Sequence, residues 1–430
     1  MNEKPGWLSE KGTVDEVALA RQILLTRDLV CVDGAFFSKQ GRVADEDSLR
    51  REIYLHMGGH VTSGVPRKVE HVLDVMRLET YRDGLPMEED RLHVANGTLF
   101  LDGDLVPETS HCRYRLTVRY DPVNAVPPMR WNRFLSELLE PEDIPTLQEY
   151  MGYCLIPSTR AQKMLIITGR GGEGKSRIGV VMKALLGCNM NVGSIAKLES
   201  SPFARADLQH LLLMVDDDMK MEALTQTNNI KALITAELPL DLERKGIQSY
   251  QGQVRSRLMA FGNGNLQALY DRSFGFFRRQ IILTARPKDP NRKDDPFLSE
   301  KLLEEKEGIF LWCLEGLQRL RQNDFQFTLS RNARKNLLES ITEGNNVLSF
   351  LKSQGYFTLD PEGMCASKQL YSIYRDWCED NSFPPLNAKS FFTAFRESGL
   401  GLGLIPTNHV SIGNGKEARG FRGIRACSRF

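Results

Sequence analysis

Short apolar runs in the middle of the chain have the length of buried β-strands. They occupy residues 164–168, 211–215, 257–261 and 280–284. Runs of this length bounded by turn sequence favour strands over helices. Residues 177–186 instead have the spacing of a helix, which Gly187 is placed to end. Strands that alternate with helices predict a parallel α/β sheet, whose ligand lies at the carboxyl ends of the strands.

The flanking sequence predicts a domain on each side of this sheet. Residues 1–128 combine helical stretches with short extended runs, which predicts a small α+β domain without an obvious chemical signature. Residues 129–325 begin with two helical stretches and then contain the sheet. Residues 326–430 differ again in composition and predict a third domain.

The third domain has the element order of a winged helix. One helix is expected to start at Ser367, a good N-cap residue, and another at Asn387. Phe391 and Phe395 would point inward from the second helix, leaving Lys389 and Arg396 on its outer face. Short extended pieces are predicted at 402–405, at 410–412 and, after a Gly-Asn-Gly turn, at 421–424.

The composition is that of a globular protein without a membrane span. The 430 residues are 41% hydrophobic, and 56 Lys and Arg nearly balance 55 Asp and Glu, for a formal net charge of +1. A nucleic-acid surface must therefore be a local concentration of positive charge. The apolar runs are too short to cross a bilayer and no secretory signal is visible, so we expect a cytoplasmic location.

The cysteines form no C-x-x-C pair, and the two glycines between His56 and His60 favour a loop or core role over metal binding.

The segment GRGGEGKS, residues 169–176, lies between a predicted strand and a predicted helix. Its G-x4-G-K-S pattern is that of a phosphate loop, and this context favours a nucleotide site over a chance turn. Lys175 is expected to reach the β- and γ-phosphates, and Ser176 to offer its hydroxyl to Mg²⁺. The glycines let backbone N–H groups converge on phosphate oxygens; they are Gly169, Gly171, Gly172 and Gly174. The sequence therefore predicts ATP and Mg²⁺ as ligands.

Acidic and amide side chains follow the next two predicted strands. Asp216 would hold Mg²⁺ through water, and Asp217 would orient the attacking water. Asp218 comes directly after them, so which two of the three act stays open. Asn263 follows the third strand, where it could sense the γ-phosphate or align that water. The alternative for the acidic run is a solvated turn.

Two arginines, Arg278 and Arg279, precede the fourth strand. One of them suits an arginine finger, which completes the ATP site of a neighbouring subunit. An arginine pair on a solvated surface is the alternative.

The chain is locally basic between residues 240 and 279, with seven Lys or Arg against three Asp or Glu. Residues 240–253 predict a hairpin whose basic and aromatic side chains could meet DNA phosphates and a base. The candidate DNA contacts in this hairpin and in the third domain are Arg244, Lys245, Tyr250, Lys389 and Arg396. Solvated charges on a small packing domain are the alternative for the last two.

Taken in order, these motifs resemble those of a known family. GRGGEGKS, LLLMVDDDM, LDLERKGIQSYQG, LMAFGNGN and GFFRRQ are similar to the successive motifs and arginine finger of superfamily 3 helicases, in particular the helicase part of phage and plasmid primase proteins related to poxvirus-type primase-helicases. Residues 131–153 resemble the helicase-associated segment of that family. NNVLSFLKSQGYF, YRDWCEDN and RGFRGI resemble its winged-helix module. Residues 1–128 lack the acidic and histidine motifs of the primase domain that some relatives carry.

The resemblance implies an ATP-dependent DNA helicase with an AAA+ type core, serving replication of a phage, plasmid or mobile element. It implies a ring, expected to be a homo-hexamer, with ATP at subunit interfaces and single-stranded DNA in the pore. Origin DNA and a separate primase or other replication protein are expected partners. The alternative is an origin-recognising initiator or loader in which ATP controls assembly without processive unwinding.

Overall fold

The structure is a computed structural model that describes residues 5–219, 224, 226–264, 274–344, 346–381, 383, 385–413 and 416–427. The chain divides into two compact units. The first is built from residues up to 266 together with 278–334, and the second from 267–277 and 335–430.

The helices are α1 (Glu16–Leu24), α2 (Glu46–Met57), α3 (Val65–Glu79), α4 (Met129–Leu138), α5 (Ile144–Tyr153), α6 (Ser176–Leu186), α7 (Ile195–Ser200), α8 (Pro202–Ala206), α9 (Asn228–Thr235), α10 (Phe274–Phe277), α11 (Leu298–Leu303), α12 (Lys306–Gln322), α13 (Arg331–Gly344), α14 (Asn346–Leu351), α15 (Ser367–Asp380) and α16 (Ala388–Gly399). The strands are β1 (Val30–Val32), β2 (Ala35–Ser38), β3 (Gly41–Arg42), β4 (Arg91–Val94), β5 (Gly97–Phe100), β6 (Leu105–Val106), β7 (Met164–Thr168), β8 (Met190–Val192), β9 (Leu213–Met219), β10 (Leu240–Arg244), β11 (Ile247–Gly252), β12 (Arg257–Gly262), β13 (Gln280–Thr284), β14 (Phe357–Ala366), β15 (Ile405–Ser411) and β16 (Glu417–Ala426).

A five-stranded parallel sheet forms the centre of the first unit, in the order β13-β7-β12-β9-β8. Every residue of β7 and of β12 is buried, which is why these segments read as unbroken apolar runs rather than alternating ones. The mixed α/β class and the parallel sheet are therefore confirmed. Because the strands are parallel, their carboxyl ends meet at one edge, called the carboxyl edge below, and their amino ends meet at the other.

Strand β9 is longer than the apolar run predicts. It extends through the three aspartates to Met219, so the acidic residues lie inside the strand and not after it. The pairing with β12 shifts there, since Ala260 pairs with Asp216 but Gly262 pairs with Met219. Two residues of β9 thus oppose the single residue Phe261, which is the geometry of a β-bulge.

The N-terminal part of the first unit carries two small antiparallel sheets, β1-β2-β3 and β4-β5-β6. Helices α1, α2 and α3 bury their own apolar cluster, including Leu19, Ile53 and Leu73. Strands β4 and β5 instead pack into the core of the large sheet, where Leu92 and Leu99 join Trp131 and Leu185.

The second unit pairs helices α14, α15 and α16 with the antiparallel sheet β14-β16-β15. Strand β14 was not expected from the sequence. The extended pieces predicted at 402–405 and 410–412 are wrong in extent, since residues 400–402 form a 3₁₀ turn and β15 runs unbroken from Ile405 to Ser411. Ser367 is the first helical residue and not the N-cap, which is Ala366. Asn414 and Gly415 of the predicted turn lie outside the described residues.

Within the described part of the chain, no helix combines the length and apolar character that a bilayer crossing requires.

Candidate functional site

The glycine-rich loop, residues 169–175, joins the end of β7 to the start of α6. Gly171, Gly172 and Gly174 have φ values of +104°, +82° and +105°, a conformation that side-chain-bearing residues rarely adopt. A Cβ added at Gly169 would lie 2.7 Å from Lys175 Nζ. The backbone conformation thus favours glycine at 171, 172 and 174, and the loop brings its N–H groups to one place at the start of a helix, where anions bind.

A carboxylate from the loop itself already occupies this cradle. Glu173 is 2% exposed, and its Oε1 accepts hydrogen bonds from the N–H groups of Arg170 and Gly171. Its Oε2 accepts from Lys175 Nζ at 2.8 Å. Burial disfavours the charged form, but the bonds from Lys175 and the loop backbone outweigh it and lower the pKa of Glu173. The loop and Lys175 therefore bind an anionic group in this structure, supplied by the chain.

A cavity of about 1340 Å³ opens over this loop at the carboxyl edge of the sheet. It brings together eight of the residues singled out from the sequence, namely Gly171, Gly172, Gly174, Lys175, Ser176, Asp217, Asp218 and Asn263. The β-bulge in β9 explains how the adjacent Asp217 and Asp218 reach one cavity, since successive residues of a regular strand point to opposite faces.

Asp216 does not line this cavity. It is 6% exposed, and its Oδ2 accepts a hydrogen bond of 2.8 Å from the N–H of Ile195, at the start of α7. Burial raises the pKa of the Asp216 carboxyl, and the Ile195 bond opposes that rise. Its contact holds the start of α7 in place, and its role as a magnesium ligand stays a prediction.

Other cavity residues were not identified from the sequence. Helix α4 contributes Arg133 and Phe134, and the segment after β13 contributes Arg292 and Lys293. Arg292 Nη2 donates to the carbonyl oxygens of residues 172 and 173, at 3.1 and 3.2 Å, so it fixes the backbone of the glycine-rich loop. The only available signal was the local run of basic residues at 292–293, which resembles an ordinary charged linker.

Arg278 and Arg279 lie at the amino edge of the sheet. The carbonyl of Arg279 accepts a hydrogen bond of 2.8 Å from the N–H of Met164, the first residue of β7, and Lys163 Nζ donates to the carbonyl of Arg278. The five residues of β7 separate this point from the glycine-rich loop by about 16 Å. These arginines therefore do not reach the cavity of their own chain.

The predicted hairpin is formed by β10 and β11. Lys245 is exposed at its turn, beside Gly246 with φ +80°. Arg244 instead donates to the carbonyl of Asp33 at 3.1 Å and to Gln209 Oε1 at 2.8 Å, and the Tyr250 hydroxyl donates to the same Gln209 oxygen at 2.8 Å. Two of the three candidate DNA contacts thus have partners within the chain.

Helix α16 has the two faces that the sequence predicts. Phe391 and Phe395 are buried, whereas Lys389 and Arg396 are exposed. Asn387 caps the helix, since its Oδ1 accepts from the N–H of Ser390 at 2.9 Å.

Comparison with known proteins gives a family for one segment and a fold for nearly the whole chain. A family of unknown function, DUF5906, matches residues 167–279, the segment from β7 to Arg279. No curated protein matches the sequence.

Solved structures do match, among them an apo structure of the NrS-1 C-terminal region, residues 305–718 of that protein, at 12% identity and a TM-score of 0.54. The match covers 95% of this chain and 99% of the other. An A-form apo structure of the same region matches at 13% identity and a TM-score of 0.53, with the same coverage. The chain therefore shares the fold of that region over almost its full length.

Proposed function

We propose that this protein is an ATP-dependent DNA helicase that serves the replication of a phage, plasmid or mobile element. The observation that carries the proposal is the convergence of Lys175, Ser176, Asp217, Asp218 and Asn263 on one cavity beside a loop that already binds a carboxylate. A carboxylate oxygen held by backbone N–H groups and a lysine is a chemical stand-in for a phosphate oxygen.

In the proposed reaction the chain's own residues hold and orient the phosphates. The N–H groups of the glycine-rich loop and Lys175 Nζ would bind phosphate oxygens and stabilise the charge of the transferring group. One of Asp217 and Asp218 would orient the attacking water, and Asn263 would align it.

The residues present suit Mg²⁺, although among the described residues no cluster of three or more His, Cys, Asp or Glu could hold a metal by itself. The Ser176 hydroxyl and a carboxylate of Asp217 or Asp218 are hard oxygen ligands beside the phosphate position. Bound Mg²⁺ would neutralise phosphate charge.

The two edges of the sheet support a site shared between subunits. Arg278 and Arg279 lie too far from their own glycine-rich loop to contact a nucleotide there, and Arg278 is exposed. An arginine finger supplied to a neighbouring copy accounts for this placement, and a ring of six copies would complete every site.

The DNA contacts are proposed in two places. Lys245, at the tip of the β10–β11 hairpin, would touch the backbone of a single strand in the pore. The second unit would act as a winged helix that presents Lys389 and Arg396 to duplex or origin DNA.

Two assays test this proposal directly. ATP hydrolysis measured with and without single-stranded DNA should show stimulation by DNA, and a forked duplex without origin sequence should be unwound only when ATP is present. Loss of both activities in Lys175→Ala, with the variant folded, is expected. No hydrolysis by the wild type at any DNA concentration would overturn the proposal.

An initiator or loader is the second candidate, favoured by the exposed basic face of α16. Such a protein would bind origin duplex and assemble with ATP, yet leave the forked substrate intact. Mass measurement with ATP and single-stranded DNA would add the ring size.

A further inference from the structure

A second pocket, of about 510 Å³, lies at the base of the β10–β11 hairpin. This hairpin pocket is bounded by the β1–β2 turn, by Met87 and by the loop before β9, as well as by the hairpin. Its lining residues are Asp33, Gly34, Met87, Arg113, Gln209, Arg244, Tyr250, Gln251, Gly252 and Gln253. All of them belong to the first unit.

Two buried side chains present unused hydrogen-bond donors to this pocket. Arg113 is 6% exposed, and its Nη1 contacts Asp33 Oδ2 at 3.3 Å and His210 Nδ1 at 3.2 Å. Gln209 is 5% exposed, and its Oε1 accepts from Arg244 and Tyr250. Arg113 Nε is buried and has no hydrogen-bond partner among the described residues. Arg113 Nη2 and Gln209 Nε2 likewise make no hydrogen bond within the described part of the chain. A buried donor without a partner is costly, so the Arg113 guanidinium indicates a ligand.

The surroundings of the pocket carry an excess of positive charge. Burial, together with the charges of Arg113, Arg244 and Arg42, lowers the pKa of His210 to about 3. His210 is therefore neutral and accepts the hydrogen bond from Arg113. Arg42 donates to the main-chain carbonyl of Cys188 and forms no ion pair with a described carboxylate. Within the described part of the chain, Arg113 forms an ion pair only with Asp33.

We infer that the hairpin pocket is a phosphate-binding site in which Arg113, Gln209 and Arg244 hold a backbone phosphate of single-stranded DNA. The guanidinium groups of Arg113 and Arg244 and the amide of Gln209 supply several donors to the pocket, and phosphate is an anion whose several acceptor oxygens match such a set. The choice of DNA as the source of the phosphate rests on the proposed function, because the pocket lies under the hairpin proposed to grip the strand. Free phosphate is the other source of the same chemistry.

Asp33 provides a second test, in which the expected change in phosphate affinity is opposite to that at Arg113. Its carboxylate pairs with Arg113 and has 40% side-chain exposure, so it competes with an incoming phosphate for the same guanidinium. Removal of the Asp33 charge should strengthen phosphate binding, whereas removal of the Arg113 charge should weaken it. General damage to the fold would weaken binding in both variants.

The test measures binding of a fluorescein-labelled oligothymidylate to the full chain by anisotropy, over a series of salt concentrations. Arg113→Met should weaken binding about tenfold and reduce the salt slope by about 0.7, the value for one phosphate contact on a single strand. Asp33→Asn should tighten binding about threefold. Arg115→Met is the matched control, because Arg115 is equally buried, donates to the carbonyls of Val94 and Ser110, and does not line the pocket.

The outcomes separate this inference from the proposed function. Equal binding by wild type, Arg113→Met and Asp33→Asn would overturn the inference and leave the helicase proposal standing. Absence of oligothymidylate binding by the wild type would overturn the DNA-binding part of the proposed function. If inorganic phosphate raises the melting temperature of wild type but not of Arg113→Met, while the oligothymidylate affinities stay equal, the pocket binds free phosphate and the assignment to DNA is wrong.

Discussion

The two edges of the central sheet differ in which candidate residues they carry and in what those residues contact. The carboxyl edge gathers Lys175, Asp217 and Asn263 around a single cavity. The amino edge carries Arg278 and Arg279, whose carbonyls accept hydrogen bonds from Lys163 Nζ and from the Met164 N–H and whose side chains do not line that cavity. The edge at which a residue lies therefore limits which ligand its side chain can contact. Side chains at the carboxyl edge can contact a ligand bound to the same chain, whereas side chains at the amino edge remain available to another copy.

The largest effect is expected at the carboxyl edge, from Lys175→Ala. The substitution removes the charge that would stabilise the transferring phosphoryl group, so the hydrolysis rate should fall by more than about a hundredfold. Steady-state ATPase assays on the folded variant measure this fall. Full turnover would show that the glycine-rich loop is not the catalytic site.

The second expected effect distinguishes three adjacent aspartates. Asp217→Asn and Asp218→Asn should each reduce hydrolysis by about tenfold or more while nucleotide binding persists, since the loop is unchanged. Asp216→Asn should keep activity within about twofold, because an amide oxygen can still accept the bond from Ile195. Hydrolysis rates and nucleotide binding, measured for all three, check this prediction. A severe loss of hydrolysis in Asp216→Asn alone would assign the magnesium ligand to Asp216.

The amino edge gives the third prediction. Arg278→Ala or Arg279→Ala should bind ATP normally and hydrolyse it about tenfold or more slowly. Mixing either variant with Lys175→Ala should partly restore turnover, because some interfaces then combine an intact loop with an intact arginine. Hydrolysis is measured against mixing ratio, with assembly followed by mass. A flat dependence in assembled mixtures would place the whole site in one chain and remove the contrast between the edges.

The smallest effect concerns the carboxylate in the loop. Glu173→Gln removes an anion that must leave Lys175 before a phosphate can bind, so the affinity for ADP should rise about threefold. The melting temperature without nucleotide should fall, because the charged hydrogen bonds to the loop are lost. Glu137→Gln is the control, since Glu137 lines the same cavity but pairs with Arg133. Equal ADP affinity in all three proteins would show that Glu173 does not compete.

The parallel sheet and the glycine-rich loop could be predicted because their signals are local. A buried strand is a continuous apolar run, and the loop has a fixed glycine and lysine spacing before a helix. The buried face of α16 could be predicted equally well, from the spacing of Phe391 and Phe395.

The side-chain positions of Asp216, Asp217 and Asp218 could not be predicted from local signals of this kind. The bulge that brings Asp217 and Asp218 to one cavity depends on pairing with Phe261 in β12, a distant part of the sequence. The partner of Asp216 is likewise a backbone group in another element. Side-chain direction in a strand follows from its register, and register is a property of two strands together.

The hairpin pocket was also beyond sequence analysis. Arg113 comes from the N-terminal region, Gln209 from the loop before β9, and Arg244 from the hairpin. Each is an ordinary polar residue in its local sequence, and only the tertiary fold makes them neighbours. The sequence identified the basic hairpin, but not the partners that hold Arg244 and Tyr250.

Strand β13 has a mechanical consequence. It begins directly after Arg279, and the segment that follows it carries Arg292, which holds the carbonyls of Gly172 and Glu173. All five residues of this edge strand pair with β7, which stiffens it, so a displacement at one end would be transmitted to the other. In the proposed ring, a pull on the arginines at one subunit interface would reach the glycine-rich loop at the next. Neighbouring ATP sites could then act in sequence through a single strand, without a separate relay.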